Sequence, residues 1–312
     1  MPALAGFVNF TPDKDVPSLK DKVIFVTGGT NGLGRESILA LAKRGPAHVY
    51  FTGRNVAAAE SLIAELARAC PSTPLTFLEL DMLSLASVKA AVSKFAHARL
   101  DILMCNAGIM AAPPKLSKDG FEMQFATNHL AHAMIIQHLL PILQQTAEAP
   151  GSDVRVVCLT SEGWGGHPRK GILFSQLRTP MDMVLGPWIR YGQSKLANIV
   201  YARELARQYP GIMAVSIHPG VAHTGLVNNL PAGHKATVHI GNFLIGRPLI
   251  EPWQGCLNQV WAAAGAKRNE LVSGAFYYPI GVMSNDKLDK TATSQKLADE
   301  LWKWTNEVLV QY

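Results

Sequence analysis

The feature that most constrains the fold is a regular alternation of short apolar runs with longer helical stretches. The apolar runs lack polar alternation, which is typical of parallel strands buried on both faces of a sheet. Right-handed crossovers between such strands place helices on both sides of the sheet. The sequence therefore predicts an α/β fold, a doubly wound parallel sheet of about seven strands in a single domain. The predicted strands are Val23–Thr27, His48–Thr52, Leu75–Leu80, Leu100–Cys105, Val154–Leu159, Met213–Ile217 and Ala275–Pro279, and the main predicted helices are Gly34–Arg44, Val56–Ala69, Ser84–Ala98, Gly120–Leu140, Gln193–Gln208 and Gln254–Ala264.

Composition is compatible with one large domain over residues 1–312. Hydrophobic residues make up 48% of the chain and charged residues 17%, enough apolar material for a sizeable core. The net charge is +6, and the basic residues are scattered rather than clustered. A mild positive field suits an anionic small ligand, and it does not indicate nucleic acid as a partner.

The four cysteines, Cys70, Cys105, Cys158 and Cys256, lie far apart and form no CxxC pair. This spacing argues against a disulfide framework and against a metal site, and it favours a reducing compartment. The N-terminal residues carry no secretory signal, and no apolar stretch has the length of a transmembrane span. We therefore expect a cytoplasmic protein with no transmembrane segment.

A glycine-rich turn joins the first predicted strand to the first helix. Gly28, Gly32 and Gly34 allow the backbone to turn sharply and to approach a pyrophosphate, which the helix N-terminus then stabilises. A strand before the glycines and a helix after them are the context that a dinucleotide site requires. The turn predicts a Rossmann-type sheet, with Thr30, Asn31 and Leu33 also near the cofactor.

The end of the second predicted strand indicates which dinucleotide is bound. An NAD site usually carries a carboxylate there, against the ribose 2′-hydroxyl. This chain has Arg54 and Asn55 instead. A guanidinium can bind a 2′-phosphate, with Asn31 or Asn55 able to assist. The sequence predicts NADP(H) as cofactor.

Tyr191 and Lys195 are the strongest candidates for catalysis. They are four residues apart at the predicted opening of a helix, so both side chains share one face. The preceding strand ends in Thr160 and Ser161, at the edge of the sheet where ligands bind. We expect Ser161 and Tyr191 to converge there.

With these motifs in their order, the chain resembles the short-chain dehydrogenase/reductase superfamily over nearly its full length. The resemblance implies a catalytic tetrad of Asn128, Ser161, Tyr191 and Lys195. It also implies that Asp81, with Met82 beside it, contacts the adenine, that Asn106-Ala107-Gly108 lies against the adenosine ribose, and that Thr224 holds the nicotinamide carboxamide. The cofactor site would be completed by Pro219, Gly220 and Val221, and Tyr191 and Lys195 would also contact the cofactor.

Two departures from the family pattern concern the substrate side. Glu162 follows the serine where a second small residue is usual, and the stretch between Ser161 and Tyr191 is about twice the usual length. The longer form resembles the retinol-dehydrogenase-like branch and its fungal and plant relatives. A long connection in a compact domain is commonly functional.

Two segments, near 162–190 and 225–252, are predicted to form a substrate lid. Their apolar side chains suggest a bulky lipophilic ketone, aldehyde or alcohol of steroid, retinoid, terpenoid or polyketide type, although they could equally serve only to pack the loops. The alternatives to a redox enzyme are a non-redox isomerase or cyclase and a cofactor-binding sensor on the same fold. A homodimer or homotetramer is also expected. The apolar side chains of the two segments are Trp164, Leu173, Phe174, Met181, Met183, Trp188, Leu226, Leu230, Phe243 and Leu244.

Overall fold

The computed structural model describes residues 7–228, 233, 235 and 249–312. Its strands form one sheet in the order β3-β2-β1-β4-β5-β6-β7-β8. The chain crosses over between β3 and β4, so the sheet is doubly wound as predicted. The strands are β1 Val23–Val26, β2 His48–Gly53, β3 Leu75–Glu79, β4 Ile102–Cys105, β5 Arg155–Leu159, β6 Met213–Ile217, β7 Phe276–Tyr278 and β8 Val282–Met283.

The strand count is the one correction to the predicted sheet. All seven predicted strands are present and pair in parallel, but a two-residue strand, β8, adds an antiparallel edge. Gly281, with φ of +71°, makes the tight turn that folds Val282 back onto Tyr278. A strand of two residues is too short to show any periodicity, so the sequence pattern could not reveal it.

Helices cover both faces of the sheet. The helices are α1 Pro12–Asp15, α2 Gly32–Ala42, α3 Val56–Ala69, α4 Leu85–Val92, α5 Met123–Phe125, α6 Ala131–Glu148, α7 Gly186–Gln208, α8 Gly225–Asn228, α9 Pro252–Gly255, α10 Leu257–Val260 and α11 Gln295–Leu309. Two π-helical turns, Ala126–Leu130 and Trp261–Gly265, continue α5 into α6 and extend α10. Short 3-10 turns lie at Glu162–Gly166, Phe174–Gln176, Arg268–Glu270 and Asn285–Lys287.

The helix that carries Tyr191 and Lys195 begins earlier than expected. The sequence placed these residues at the opening of a helix, but α7 begins at Gly186, so both lie inside it. Pro187 occupies the first turn, where a missing N–H costs nothing because that turn has no intrahelical acceptor for it. The pair therefore sits in a regular, well-anchored part of the helix.

The core consists of two apolar layers, one on each face of the sheet. Strand β1 shows the division: Val23 and Phe25 face the layer under α4, α6, α7 and α11, whereas Ile24 and Val26 face the layer under α2 and α3. All four of these side chains are buried. Because both faces are covered, the free carboxyl ends of the strands are where a site can open.

The C-terminal helix α11 packs beside α7. The Ser294 hydroxyl caps its first turn by accepting from the Leu297 N–H, and Trp302 stacks on Tyr201 of α7 with ring centroids 4.9 Å apart. Over the described part of the chain, no helix has the length and apolarity to cross a membrane. Of the predicted lid residues, Leu230, Phe243 and Leu244 lie outside the described residues.

Candidate active site

A cleft of about 1040 Å³ opens at the carboxyl ends of the central strands. The residues that follow β1, β4, β5 and β6 all reach it, although they are far apart in sequence. Most of the predicted site residues line it: Gly28, Thr30, Asn31, Gly32, Leu33, Arg54, Asp81, Met82, Asn106, Ala107, Gly108, Ser161, Tyr191, Lys195, Pro219, Gly220, Val221 and Thr224. Gly34, Asn55 and Asn128 are not among the residues that line it.

The glycine turn is shaped so that side chains are excluded from it. Gly28 and Gly32 have φ of +67° and +54°, a region that L-residues adopt only with strain. A Cβ on Gly34 would lie 2.3 Å from the carbonyl oxygen of Gly28. The Asn31 side chain accepts from the Gly32 N–H at 2.7 Å and caps α2. The turn thus leaves an open cradle at a helix N-terminus, which fits a pyrophosphate.

The Asn106-Ala107-Gly108 stretch is fastened to the end of β1. The N–H groups of Asn106 and Ala107 both donate to the Thr27 hydroxyl at 2.9 Å. The Asn106 side-chain amide donates to the Thr27 carbonyl at 2.8 Å. These bonds hold the ends of β1 and β4 together at the wall of the cleft.

The outer end of the cleft carries two cations, Arg54 and Lys118, and the carboxylate of Asp81. Arg54 and Asp81 both line it, and Lys118 pairs with the Asp81 carboxylate at 3.0 Å. Burial acts to raise the pKa of Asp81, but hydrogen bonds from Lys118 and the Leu83 N–H, with the charges of Lys118 and Arg54, outweigh it and lower that pKa. Asn55 instead caps α3, accepting from the Ala58 N–H at 3.0 Å.

Ser161, Tyr191 and Lys195 converge at the inner end of the cleft, as the sequence predicts. Ser161 lies two residues after the end of β5, and its hydroxyl accepts from the Gly163 N–H at 3.1 Å. The same glycine lies against both the Ser161 hydroxyl and the Tyr191 ring. The Lys195 ammonium lies 5.8 Å from the centroid of the Tyr191 ring and donates to the Leu159 carbonyl at 3.1 Å. A Cβ on Gly163 would lie 2.7 Å from the Tyr191 ring, so this glycine lets the backbone pack against it.

The protonation of the pair follows from its burial. Burial raises the pKa of Tyr191 to about 12, and the Ser161 hydrogen bond acts against that rise. Burial lowers the pKa of Lys195 to about 8. A low-dielectric site disfavours the charged form of each group. The tyrosine is therefore held as a phenol, able to donate a proton.

Asn128 lies behind the wall of the cleft, in the π-helical turn before α6. Its side-chain carbonyl accepts from the Ile109 N–H at 2.8 Å, and its amide donates to the Ile109 carbonyl and to the Ser194 hydroxyl. A Cβ on Gly108 would lie 3.1 Å from the Asn128 Oδ1 and 3.4 Å from the Lys195 Nζ. Asn128 thus links the loop after β4 to helix α7.

The segment 162–190 divides between the cleft and the body of the protein. Glu162, Gly163, Gly166 and Trp188 line the cleft. Other apolar side chains pack inward: Phe174 contacts Trp304 with ring centroids 5.6 Å apart, and the Trp164 and Met181 side chains are buried.

Two features near the inner end of the cleft were not predicted from the sequence: a buried ion pair and a loop that lines the cleft. Arg190 and Glu122 are both fully buried, with Nε and Oε1 3.3 Å apart. The loop 109–113 lines the cleft. The position of Arg190 directly before Tyr191 was a visible signal, but its partner Glu122 could not be identified from the sequence. At the same end of the cleft, the Glu162 Oε2 lies 3.8 Å from the His218 Nε2.

Two buried histidines, His129 and His132, also lie near this wall. His129 is hydrogen-bonded to Thr305, and His132 to Thr27. Among residues 7–228, 233, 235 and 249–312, no three histidine, cysteine, aspartate or glutamate side chains are grouped as metal ligands would be.

The chain is similar to known proteins over most of its length. A family model described as short chain dehydrogenase matches residues 22–163. The short-chain dehydrogenase/reductase drtF of Aspergillus calidoustus is 36% identical over 308 residues, covering 94% of this chain and 95% of that protein.

Solved structures share the fold. A crystal structure of an uncharacterized protein from Mycobacterium paratuberculosis superposes with a TM-score of 0.73 and 26% identity, covering 97% of this chain and 98% of that one. NADPH-bound carbonyl reductase from chicken fatty liver has a TM-score of 0.61 at 22% identity, covering 85% and 99%, and at that identity it shows the fold alone.

Proposed function

The chain belongs to the short-chain dehydrogenase/reductase family, and on that premise we propose that it is an NADP(H)-dependent oxidoreductase that interconverts a carbonyl and an alcohol. The observation that carries the proposal is the convergence of Ser161, Tyr191 and Lys195 at the inner end of a cleft. The outer end of the same cleft is a glycine cradle at a helix N-terminus. A dinucleotide spanning the two ends would place its nicotinamide beside the tyrosine.

The glycine cradle, the Asn106 wall and Thr224 fit the dinucleotide, because a Cβ on Gly32 would lie 3.2 Å from the Thr224 side chain and fill the space between them. Bound NADP(H) supplies the hydride. The protein has to bind the carbonyl oxygen, exclude water from it and exchange a proton with it. Ser161 and Tyr191 are the hydroxyl groups placed for this work.

Tyr191 is the proton donor for reduction. Its raised pKa keeps it protonated until the carbonyl oxygen gains negative charge and accepts the proton. The reverse reaction needs tyrosinate, and an unperturbed tyrosine has a pKa near 10. Burial places the pKa of Tyr191 at about 12, so lowering it to about 7 requires about 7 kcal/mol of preferential stabilisation of tyrosinate, which the Lys195 cation and an oxidised nicotinamide would supply. Ser161 would hydrogen-bond the substrate oxygen as its charge develops.

NADP(H) rather than NAD(H) is favoured by the charges at the outer end. Arg54 lines the cleft where an NAD site would carry a carboxylate. Asp81, an acidic side chain that lines the same end of the cleft, is paired with Lys118, which reduces its repulsion of a 2′-phosphate. A guanidinium suits a phosphate because it can donate two hydrogen bonds at once.

The substrate we propose is bulky and lipophilic. Apart from the catalytic groups, Trp188 and the loop 109–113, which contains Met110 and Pro113, bring apolar groups to the inner end of the cleft. Apolar walls with a few convergent polar groups are typical of sites for such ligands. We propose that the cleft-lining residues of segment 162–190 and residues 225–227, at the start of the second predicted segment, enclose this substrate. We also propose that the protein acts in the cytoplasm and that it forms a homodimer or homotetramer.

The test replaces Tyr191 with Phe. The substitution removes one hydroxyl and keeps the ring, so the fold and the NADPH affinity should survive. Without the phenol, turnover of a lipophilic ketone, followed at 340 nm, should fall at least about a hundred-fold, about 2.7 kcal/mol of barrier. Tyr201→Phe is the matched control, since Tyr201 is buried on the same helix but stacks on Trp302 away from the cleft. NADPH oxidation at the parent rate by Tyr191→Phe would refute the mechanism.

A further inference from the structure

Arg190, the residue before Tyr191, makes contacts that the proposed chemistry does not use. Its side chain is fully buried. One terminal nitrogen donates to the Met181 carbonyl at 2.8 Å, and the other donates to the Ala112 carbonyl at 2.7 Å. Its Nε faces the Glu122 carboxylate at 3.3 Å. One guanidinium thus joins three separate parts of the chain to the helix of the catalytic tyrosine.

Glu122 is held as firmly as its partner. Its carboxylate accepts from the N–H groups of Gln124 and Phe125, at 3.0 and 2.7 Å, and so caps α5. Its own N–H donates to the Leu177 carbonyl, in the middle of segment 162–190. Burying two charges is costly unless the geometry satisfies both of them. Both side chains are at 0% exposure. The two terminal nitrogens of Arg190 and the Glu122 carboxylate have backbone partners, whereas the Arg190 Nε has the ion-pair contact with Glu122 but no hydrogen bond. The backbone bonds make the pair a point of structural constraint.

Of the two carbonyls that Arg190 binds, one belongs to a wall of the cleft and the other to the segment that leads to a second wall at Trp188. Ala112 lies in the loop 109–113, which lines the cleft, and Met181 lies in the segment that continues to Trp188. Both segments contain a non-glycine residue with positive φ at this point, Ala111 at +46° and Met181 at +51°. Such backbone persists only where surrounding contacts enforce it, and the guanidinium supplies a contact at each place.

We propose that Arg190, held by Glu122, is a positioning residue that fixes both walls of the substrate end to the helix carrying Tyr191. The wall positions then set where a substrate carbonyl lies relative to the tyrosine hydroxyl. An arginine suits this role because its planar guanidinium can donate in several fixed directions, whereas a lysine ammonium is a single point on a flexible stem. The effect on substrate placement rests on the proposed function, whereas the structural tie between the two segments and helix α7 does not.

The experiment compares Arg190→Met, Arg190→Lys and Glu122→Gln with the control Arg155→Met. Arg155 is also buried, pairs with Asp153 and donates to two carbonyls, those of Ala262 and Ala266, but it lies at the opposite end of β5 from the cleft. Removing Arg155 should therefore cost stability without moving the substrate walls.

Three quantities are measured in each variant: the Kd for NADPH by fluorescence, kcat and KM for a lipophilic ketone, and amide hydrogen exchange over residues 109–113 and 177–186. In Arg190→Met we expect kcat/KM to fall at least about tenfold while the NADPH Kd changes less than about twofold. Exchange should be faster in both segments. Arg190→Lys should retain a larger part of kcat/KM than Arg190→Met. Glu122→Gln should show faster amide exchange in the same two segments, with a smaller decrease in kcat/KM than Arg190→Met. Arg155→Met should keep kcat/KM within about twofold at a temperature where it is folded.

Unchanged exchange and unchanged kcat/KM in a folded Arg190→Met would overturn the proposal. So would an equal kcat/KM loss in Arg155→Met, because the effect would then be general destabilisation. If Arg190→Met does not fold, amide exchange and kcat/KM measured in Arg190→Lys and Glu122→Gln test the proposal in the same way. If the parent protein turns over no carbonyl substrate, the proposed function fails, whereas the amide exchange still supports or refutes the tie between the two walls.

Discussion

The buried histidines His129 and His132 predict a strong loss of stability in mild acid. Their side chains are 2% and 4% exposed. The Nδ1 of His132 lies 2.9 Å from the Asn128 carbonyl, so it carries the proton, and its Nε2 lies 2.8 Å from the Thr27 hydroxyl. The Thr27 hydroxyl oxygen already accepts from the N–H groups of Asn106 and Ala107. A second proton, on the His132 Nε2, would therefore point at an oxygen whose lone pairs are already used.

The size of the effect follows from the pKa values. Burial, with repulsion from His132, lowers the pKa of His129 from 6.5 to about 3. Burial lowers the pKa of His132 from 6.5 to about 4, and the positive charge of Lys195 acts in the same direction. The hydrogen bond to the Asn128 carbonyl acts against this shift. As the pH falls below 6.5, both histidines stay neutral in the folded protein, whereas the same two histidines take up protons in the unfolded chain, where their pKa is 6.5. Their stabilisation is therefore complete above that pH and is lost as the pH falls.

Between about pH 7 and about pH 5, each histidine should remove about 2 kcal/mol from the free energy of unfolding, and the pair about 4 kcal/mol. Urea unfolding at about pH 7 and about pH 5 measures this difference. His129→Gln and His132→Gln should each abolish about half of it. His138→Gln, on an exposed position of the same helix, should leave it unchanged. His48, whose pKa is lowered by burial and by His97, adds a background common to all of these variants.

Full pH dependence in both glutamine variants would show that the histidines are not the groups that take up protons on unfolding. It would then refute the assignment of their neutrality to burial.

Two further predictions concern the two ends of the cleft. Replacing Arg54 with Asp should raise the NADPH Kd at least about tenfold, about 1.4 kcal/mol, because a carboxylate would repel the 2′-phosphate. Arg68→Asp, on the exposed side of α3, is the control in the same titration, and an unchanged Kd in Arg54→Asp would contradict the phosphate assignment. Trp188→Ala should raise KM for a bulky ketone several-fold and spare a small one, because Trp188 lines the cleft. Equal changes for the two ketones, measured by initial rates, would mean that Trp188 packs the segment without contacting substrate.

The parts of the site that are local in sequence could be predicted from it. The glycines between β1 and α2 have their roles because neighbouring residues set the turn. Tyr191 and Lys195 share a face because four residues make about one helical turn. The doubly wound parallel sheet could also be predicted, since unalternating apolar runs separated by helices form such a sheet. The start of α7 was misplaced, although Gly186 and Pro187 gave a local signal for it.

Contacts between distant segments required the tertiary structure. Arg190 and Glu122 meet only because α5 and α7 are brought together, and Lys118 reaches Asp81 only across the outer end of the cleft. The same holds for protonation, because the pKa of Tyr191 rises with a burial to which many separate elements contribute. The sequence by itself determined the sheet, the cradle and the candidate reacting groups, since each depends on short-range periodicity and conformational preference. Only the tertiary structure decided how those groups are buried, charged and held in place, because solvation and electrostatics depend on neighbours that the order of residues does not specify.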